Sequence, residues 1–93
     1  MIAMSHIQED KGRFYINEEN QTIAELAFEE EGSLIIITHT HVNPQEQGEG
    51  LATELVEHAV HYARENDKKI KPVCSFAEKV LSDEQKYQDV LKG

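Results

Sequence analysis

The stretch 38-THTHVNPQEQGEGLATELVEHA-59 decides the fold of this chain, because it leads from a strand through a glycine-bearing loop into a helix. Glycines at positions 48 and 50 leave backbone amides uncovered where the helix begins. The first amides of a helix have no partner inside the helix, and the helix dipole adds positive potential there. The pattern therefore favours an anion site, although two glycines can also serve only to shape a turn.

The residues after this loop have a helical period. The apolar stripe consists of Leu51, Ala52, Leu55, Val56, Ala59, Val60 and Ala63. It predicts a helix from Leu51 to about Asn66 with one face on the core. Residues 70–74 then predict a further strand, and Pro72 indicates an edge of the sheet or a splayed position.

The residues before the loop predict antiparallel strands. Residues 13–16 form a short β-prone run, and residues 22–28 alternate between apolar and polar side chains. Residues 33–38 are apolar on both faces, which predicts a central strand buried on both sides with a helix on at least one of them.

Two capping patterns lie near the end of the chain. Ser75-Phe76-Ala77-Glu78 has the S-x-x-E form of a capping box and predicts a short helix there. Residues 82–85 repeat the pattern with glutamine and predict a last helix that carries Tyr87, Val90 and Leu91. The element order predicts an α/β (α+β) layer around one sheet.

The composition predicts one domain over residues 1–93. It is 39% hydrophobic and 29% charged, and no apolar run approaches the ~20 residues that cross a membrane. The first residues lack the features of a signal peptide, and a single cysteine cannot form an internal disulfide. A cytoplasmic location without membrane attachment is the simplest expectation.

The chain is strongly acidic, with 18 acidic and 9 basic residues and a net charge of −9. Such a chain repels a phosphate backbone, so nucleic acid is not an expected partner. The charge instead favours cationic ligands such as amines or lysine-bearing proteins.

Three motifs carry a resemblance to a known family. Gln47-Gly48-Glu49-Gly50-Leu51-Ala52 fits a Q/R-x-x-G-x-G/A pyrophosphate motif, His39-Thr40-His41-Val42 precedes it, and Pro72-Val73-Cys74-Ser75-Phe76 follows it. In this order and spacing they resemble the GNAT superfamily of acetyl-CoA-dependent N-acetyltransferases, and in particular its short, single-domain YjdJ-type branch.

The resemblance implies a mostly antiparallel mixed sheet, a long helix after the fourth strand, a fifth strand and two C-terminal helices. It implies acetyl-CoA as co-substrate, no metal, and a small-molecule or protein amine as acceptor. The chain would be a monomer or a weak homodimer. The backbone of Thr40, His41 and Val42 would bind the pantetheine arm. The amides assigned to the pyrophosphate are those of Gln47, Gly48, Glu49, Gly50, Leu51, Ala52 and Thr53.

Two residues are candidates for catalysis. His39 ends the predicted central strand and could take the proton of the amine, since imidazole titrates closest to neutral pH. A histidine that is hydrogen-bonded into the sheet is an equally good interpretation. Cys74 precedes a predicted helix N-terminus, where thiolates are favoured. A buried, inert thiol is its alternative, and the resemblance favours the reactive one.

Two further alternatives stay open. His58 and His61 lie on the long helix, but they do not form a zinc motif, and a solvated charged face is the better interpretation. The whole chain could also be a non-catalytic module that binds coenzyme A or a partner protein, because the loop at residues 43–51 carries no cation.

Overall fold

A computed structural model describes residues 7–46, 50–83 and 85–91 of the chain. The strands are β1 (Ile7–Asp10), β2 (Arg13–Glu18), β3 (Gln21–Glu31), β4 (Leu34–Val42) and β5 (Lys69–Pro72). The helices are α1 (Leu51–Glu65) and α2 (Ser75–Asp83), with 3₁₀ turns at Pro44–Glu46 and Gln85–Tyr87. The strands lie in chain order, antiparallel from β1 to β4 and parallel between β4 and β5. This confirms the predicted mixed, mostly antiparallel sheet.

Helix α1 covers one face of the sheet. Its buried residues are those of the predicted stripe, namely Leu51, Leu55, Val56, Ala59, Val60 and Ala63. They join fully buried strand residues such as Phe14, Leu26 and Ile35 in one core. Leu34 and Ile36, on the other face of β4, are only half-buried. The prediction that this strand is buried on both sides is therefore wrong, because the helices leave one face of the sheet open.

The ends of the chain depart from the sequence prediction. Strand β1 was not predicted, because all its residues after Ile7 are polar and exposed and give no alternation. At the other end, the predicted last helix is only the 3₁₀ turn Gln85–Tyr87. The segment after it instead pairs with β5, since the Ile70 amide donates to the Val90 carbonyl at 2.6 Å. No helix in the described ranges is long and apolar enough to cross a membrane.

A β-bulge in β4 changes the register of the central strands. Ala27 of β3 pairs with His39, whereas the next residue, Phe28, pairs with Ile37. Thr38 is therefore the extra residue that has no direct partner on β3. Since side chains alternate along a strand, one extra residue exchanges the two faces for everything that follows.

The exchange brings even-numbered residues of β4 to the helix side. Before the bulge, Ile35 and Ile37 are fully buried. After it, Thr40 pairs with Leu26, which is itself fully buried on the helix side. His39 and His41 are consequently exposed on the open face of the sheet.

One histidine of α1 lies in a different environment from the one predicted. His58 is half-buried, with its ring edge-on to Phe14 at a centroid distance of 4.6 Å. Its Nδ1 is buried and has no hydrogen-bond partner among the described residues. The interpretation of His58 as part of a solvated face is therefore wrong, whereas His61, one turn further on, is exposed.

Stability should fall in acid because of His58. Burial, followed by the charge on His61, lowers the pKa of His58, and Glu9 and Glu65 oppose these effects only partly. His58 is therefore protonated more readily in the unfolded state than in the folded state. The free energy of unfolding should thus fall as the pH drops from about 6.5 through the lowered pKa of His58. Urea melts across this range should show the loss in wild type and in His61→Leu. His58→Leu should lose less stability over the same pH range. A loss equal to that of wild type would contradict the assignment of this pH dependence to His58.

Candidate active site

The site begins where β4 and β5 separate. Their parallel pairing runs as far as Ile37 and Pro72 and then stops. The next two amides of the chain, those of Val73 and Cys74, both donate to the Ile37 carbonyl at 3.0 Å. Because one carbonyl takes both donors, the chain leaves the sheet at this point. A gap opens beyond it between the end of β4 and the start of α2.

A cleft of about 380 Å³ lies at this end of β4. Its lining comes from the end of β4, the first turn of α1 and the start of α2. The lining residues are Thr40, Val42, Glu46, Gly50, Leu51, Ala52, Thr53 and Phe76. Among these described residues there is one acidic side chain and no cationic one. An anion in the cleft would therefore depend on backbone donors.

Those donors are at the N-terminus of α1. The first helical hydrogen bond joins the Glu54 amide to the Gly50 carbonyl at 3.0 Å. The amides of Leu51, Ala52 and Thr53 therefore precede the first bonded turn and have no partner within the helix. The N-cap residue is Gly50, and no side chain among the described residues caps them. Three uncovered amides and the helix dipole favour a negatively charged group here.

The backbone conformation at position 50 explains why the residue there is a glycine. Its φ of 77° and ψ of 15° lie in the left-handed region, which glycine adopts without steric cost. A side chain at this position would be strained, although a Cβ would meet no atom within 4 Å. Of the predicted pyrophosphate residues, Gly50, Leu51, Ala52 and Thr53 line the cleft. Gln47, Gly48 and Glu49 lie outside the described residues.

Cys74 lies at the N-terminus of α2. The predicted start of this helix at Ser75 is confirmed, but the capping residue is Cys74, because the Glu78 amide donates to the Cys74 carbonyl at 3.0 Å. The Cys74 thiol stands at the position of the usual capping side chain, and the amides of Ala77 and Phe76 help to lower its pKa. The capping-box assignment is thus displaced by one residue.

The Cys74 sulfur also contacts β4. Its distance to the Thr40 hydroxyl oxygen is 3.2 Å, and the Thr40 amide is a further donor. Burial raises the pKa of the Cys74 thiol, but the Thr40 hydroxyl and the amides of Ala77 and Phe76 outweigh this and leave the pKa below its ordinary value. The thiol is half-buried and contacts the cleft through Thr40, which is one of its lining residues. A thiolate in such a position can act as a nucleophile.

The other predicted residues of β4 are divided between the two faces of the sheet. Thr40 and Val42 line the cleft. His39 and His41 are exposed on the other face, where their rings stack with a centroid distance of 6.3 Å. The structure thus brings Cys74, Thr40 and the start of α1 together, and His39 projects away from the cleft.

The sequence prediction missed two groups at the cleft, the Phe76 ring and the Thr40 hydroxyl. Phe76 belongs to the motif that contains Cys74, but nothing in that motif indicated that its ring would be 38% exposed at the cleft. The hydroxyl of Thr40 was also missed, because only its backbone was assigned a role. The contact with Cys74 joins residues 34 positions apart, and a local motif cannot reveal it.

Comparison with known proteins agrees with this geometry. The profile of the GCN5-related N-acetyltransferases matches residues 13–90. The chain belongs to this family. A search of curated proteins found no match.

Solved structures extend the comparison. A GCN5-like protein from Staphylococcus aureus, solved by NMR, is 36% identical, with a TM-score of 0.80 over 99% of this chain and 92% of that one. A Clostridium acetobutylicum acetyltransferase crystallised with acetyl-CoA is 25% identical, with a TM-score of 0.59 over 76% of this chain and 54% of that one. The ribosomal-protein-S18-alanine N-acetyltransferase of Escherichia coli shares the fold at 13% identity, with a TM-score of 0.65 over 84% of this chain and 51% of that one.

Proposed function

We propose that this acetyltransferase binds acetyl-CoA in the cleft and transfers the acetyl group to an amine through Cys74. The observation that carries the proposal is the Cys74 sulfur at the start of α2, which lies 3.2 Å from the hydroxyl oxygen of Thr40, a lining residue of the cleft. Hydrogen bonds to the ionised form favour the thiolate. A thiolate that lies beside a thioester needs no separate base to attack it.

The cleft offers a binding site to each part of the cofactor. The amides of Leu51, Ala52 and Thr53 would hold the pyrophosphate, because they are uncovered at the positive end of α1. The backbone from Thr40 to Val42 would bind the pantetheine arm, since Thr40 and Val42 line the same cleft. The thioester would then lie near the gap between β4 and α2, where Cys74 is.

The chemistry is an exchange of thioesters followed by aminolysis. The Cys74 thiolate bonds to the carbonyl carbon of acetyl-CoA, and the bond from that carbon to the coenzyme A sulfur breaks. Coenzyme A leaves as a thiolate, which takes a proton from solvent. A neutral amine then bonds to the carbonyl carbon of the acetyl-cysteine, its nitrogen loses a proton to solvent, and the bond from that carbon to sulfur breaks, which restores the Cys74 thiolate. The first step is close to energy-neutral because both compounds are thioesters.

A second candidate function is binding without turnover. It is favoured by the lining of the cleft, whose described residues contain Glu46 and no cation, although coenzyme A is multiply anionic. Such a module would use the same fold to hold coenzyme A or a partner protein. In either case the half-buried thiol would need a reducing environment, which agrees with the expected cytoplasmic location.

Intact-protein mass spectrometry separates the two functions. The protein is incubated with acetyl-CoA, first alone and then with a panel of small amines and lysine-bearing peptides. We expect one added acetyl group on Cys74 without an acceptor, and its loss with formation of an acetylated amine when the acceptor is present. Binding of acetyl-CoA with no adduct and no acetylated amine would support the non-catalytic module.

A further inference from the structure

We propose that the Thr40 hydroxyl is a positioning group that holds the Cys74 sulfur as a thiolate and turns towards the cleft once the sulfur is acylated. The inference rests on the proposed function, since it assigns a second residue to the same acyl transfer. It gives a role to a side chain that the motifs left unassigned.

The position of this hydroxyl follows from the fold. The bulge at Thr38 turns Thr40 to the helix side of β4, where its oxygen lies 3.2 Å from the Cys74 sulfur. Thr40 also lines the cleft. One side chain thus contacts the nucleophile and faces the space that the thioester would occupy. Without the bulge, a histidine would face this way instead.

The direction of the hydrogen bond follows from the other donors. Burial raises the pKa of the Cys74 thiol, but the Thr40 hydroxyl and the amides of Ala77, Phe76 and Thr40 lower it overall, and an amide N–H can only donate. Three donors around one sulfur stabilise its ionised form. The ionised sulfur has no proton to give, so in that form the Thr40 hydroxyl is the donor in its contact with Cys74.

Acylation changes what the hydroxyl can do. A thioester sulfur carries no charge and is a weak acceptor, so the hydrogen bond from Thr40 to Cys74 weakens when the acetyl group arrives. The hydroxyl can then donate to the acetyl carbonyl oxygen or to the departing coenzyme A thiolate. Thr40 keeps its proton throughout, and charge passes only between the two sulfurs. The group therefore stabilises the negative charge before and after transfer.

The test compares variants that differ only in this hydroxyl. Thr40→Val removes the oxygen at nearly constant volume, and Thr40→Ser restores it. Thr22→Val is the matched control, because it removes an exposed strand hydroxyl that donates to the Asn17 side chain and does not contact Cys74. The thiol pKa is read from the rate of alkylation by iodoacetamide between pH 5 and pH 10.

We expect Thr40→Val to raise the pKa of Cys74 by about one unit, which lowers the alkylation rate about tenfold at a pH below both pKa values. Formation of the acetyl adduct should slow by a similar factor, while the Kd for coenzyme A changes less than about twofold. Thr40→Ser and Thr22→Val should keep the wild-type pH profile. A Thr40→Val profile equal to that of wild type, or a Thr40→Ser profile as shifted as that of Thr40→Val, would overturn the inference.

The two readouts separate this inference from the proposed function. Alkylation uses no acetyl-CoA, so it reports the contact between Thr40 and the sulfur by itself. If wild type gains no acetyl group, the proposed function fails, and with it the role of Thr40 in transfer. If wild type is acetylated and Thr40→Val is acetylated equally fast, the proposed function stands and the role of Thr40 is overturned.

Discussion

Replacing Cys74 with serine should abolish the acetyl adduct and lower the rate of amine acetylation by roughly 10³-fold or more, because the variant lacks the activated sulfur. Serine is the informative substitution, since its oxygen is a preferred helix N-cap and can accept from the amides of Phe76 and Ala77. We therefore expect α2 and the fold to survive. Mass spectrometry of the adduct and initial rates with an amine measure the loss, and circular dichroism melts control for folding.

Binding is the second control on this variant. The uncovered amides of α1 do not involve Cys74, so the Kd for coenzyme A should stay within about threefold of wild type when measured by calorimetry. A large loss of affinity would mean that the substitution disturbed the cleft. Bound coenzyme A should also protect Cys74 of wild type from iodoacetamide, because the ligand would cover the adjoining wall formed by Thr40 and Phe76.

Unchanged turnover in Cys74→Ser would mean that the amine attacks acetyl-CoA directly. The catalytic base then becomes the question, and His39 is the predicted candidate. Its exposed position on the open face of the sheet would require the amine to arrive from that side. In that case His39→Ala should lower the rate by roughly 10²–10⁴ with little change in coenzyme A affinity. His41→Ala, on the same face, is the matched control.

The long helix and the edge strand could be predicted from sequence because their signals are local. The apolar stripe that starts at Leu51 has the period of a helix, and all but one of its members are buried in α1. The exception, Ala52, lines the cleft. Pro72 also indicated an edge correctly, because proline cannot donate a ladder hydrogen bond and is tolerated where the strand pairs on one side.

The orientation of the residues in 38–42 could not be predicted. Alternation from the buried Ile35 and Ile37 would bring His39 to the helix side, and the bulge at Thr38 brings Thr40 there instead. A bulge depends on how two strands pair, since the extra residue is defined only by its missing partner. The sequence of one strand by itself does not show where such a bulge occurs. The candidate histidine therefore lies on the open face, and the unassigned threonine lies in the cleft.

The environment of Cys74 was predictable only in part. Its place before a helix indicated a favoured thiolate, but the S-x-x-E pattern assigned the cap to Ser75. The structure makes the cysteine itself the cap and adds donors from Thr40 on another strand. A local pattern can predict that a helix begins near a residue. The donors that come from a distant strand depend on tertiary packing.

The other large effect is expected at Gly50. Gly50→Val should weaken coenzyme A binding by roughly 10- to 100-fold, the range that follows from losing one or two hydrogen bonds to a charged group. Valine is poorly tolerated at a φ of 77°. Relief of that strain would rotate the backbone and move the amides of Leu51 and Ala52 that follow. The added methyl groups would also lie in the cleft, because Gly50 is part of its lining.

The same strain must destabilise the fold, so affinity has to be separated from stability. A left-handed residue other than glycine costs of the order of 1–3 kcal/mol. Gly32 provides a matched position, since its φ is 60° and a Cβ there would also meet no atom within 4 Å. It lies in the turn before Leu34, whereas the cleft begins beyond Thr40 at the other end of β4. Gly32→Val should therefore lose similar stability and keep its affinity.

The comparison is made by calorimetry at a temperature where urea melts show both variants to be folded. We expect the Kd for coenzyme A to rise at least tenfold in Gly50→Val and less than about twofold in Gly32→Val. Equal Kd values for Gly50→Val and wild type would mean that the pyrophosphate lies elsewhere and that α1 begins with uncovered amides for another reason. A rise shared by both glycine variants would assign the loss to general destabilisation. Only a rise confined to Gly50→Val assigns the phosphate to the N-terminus of α1, since the two substitutions share their backbone strain and differ in their distance from the cleft.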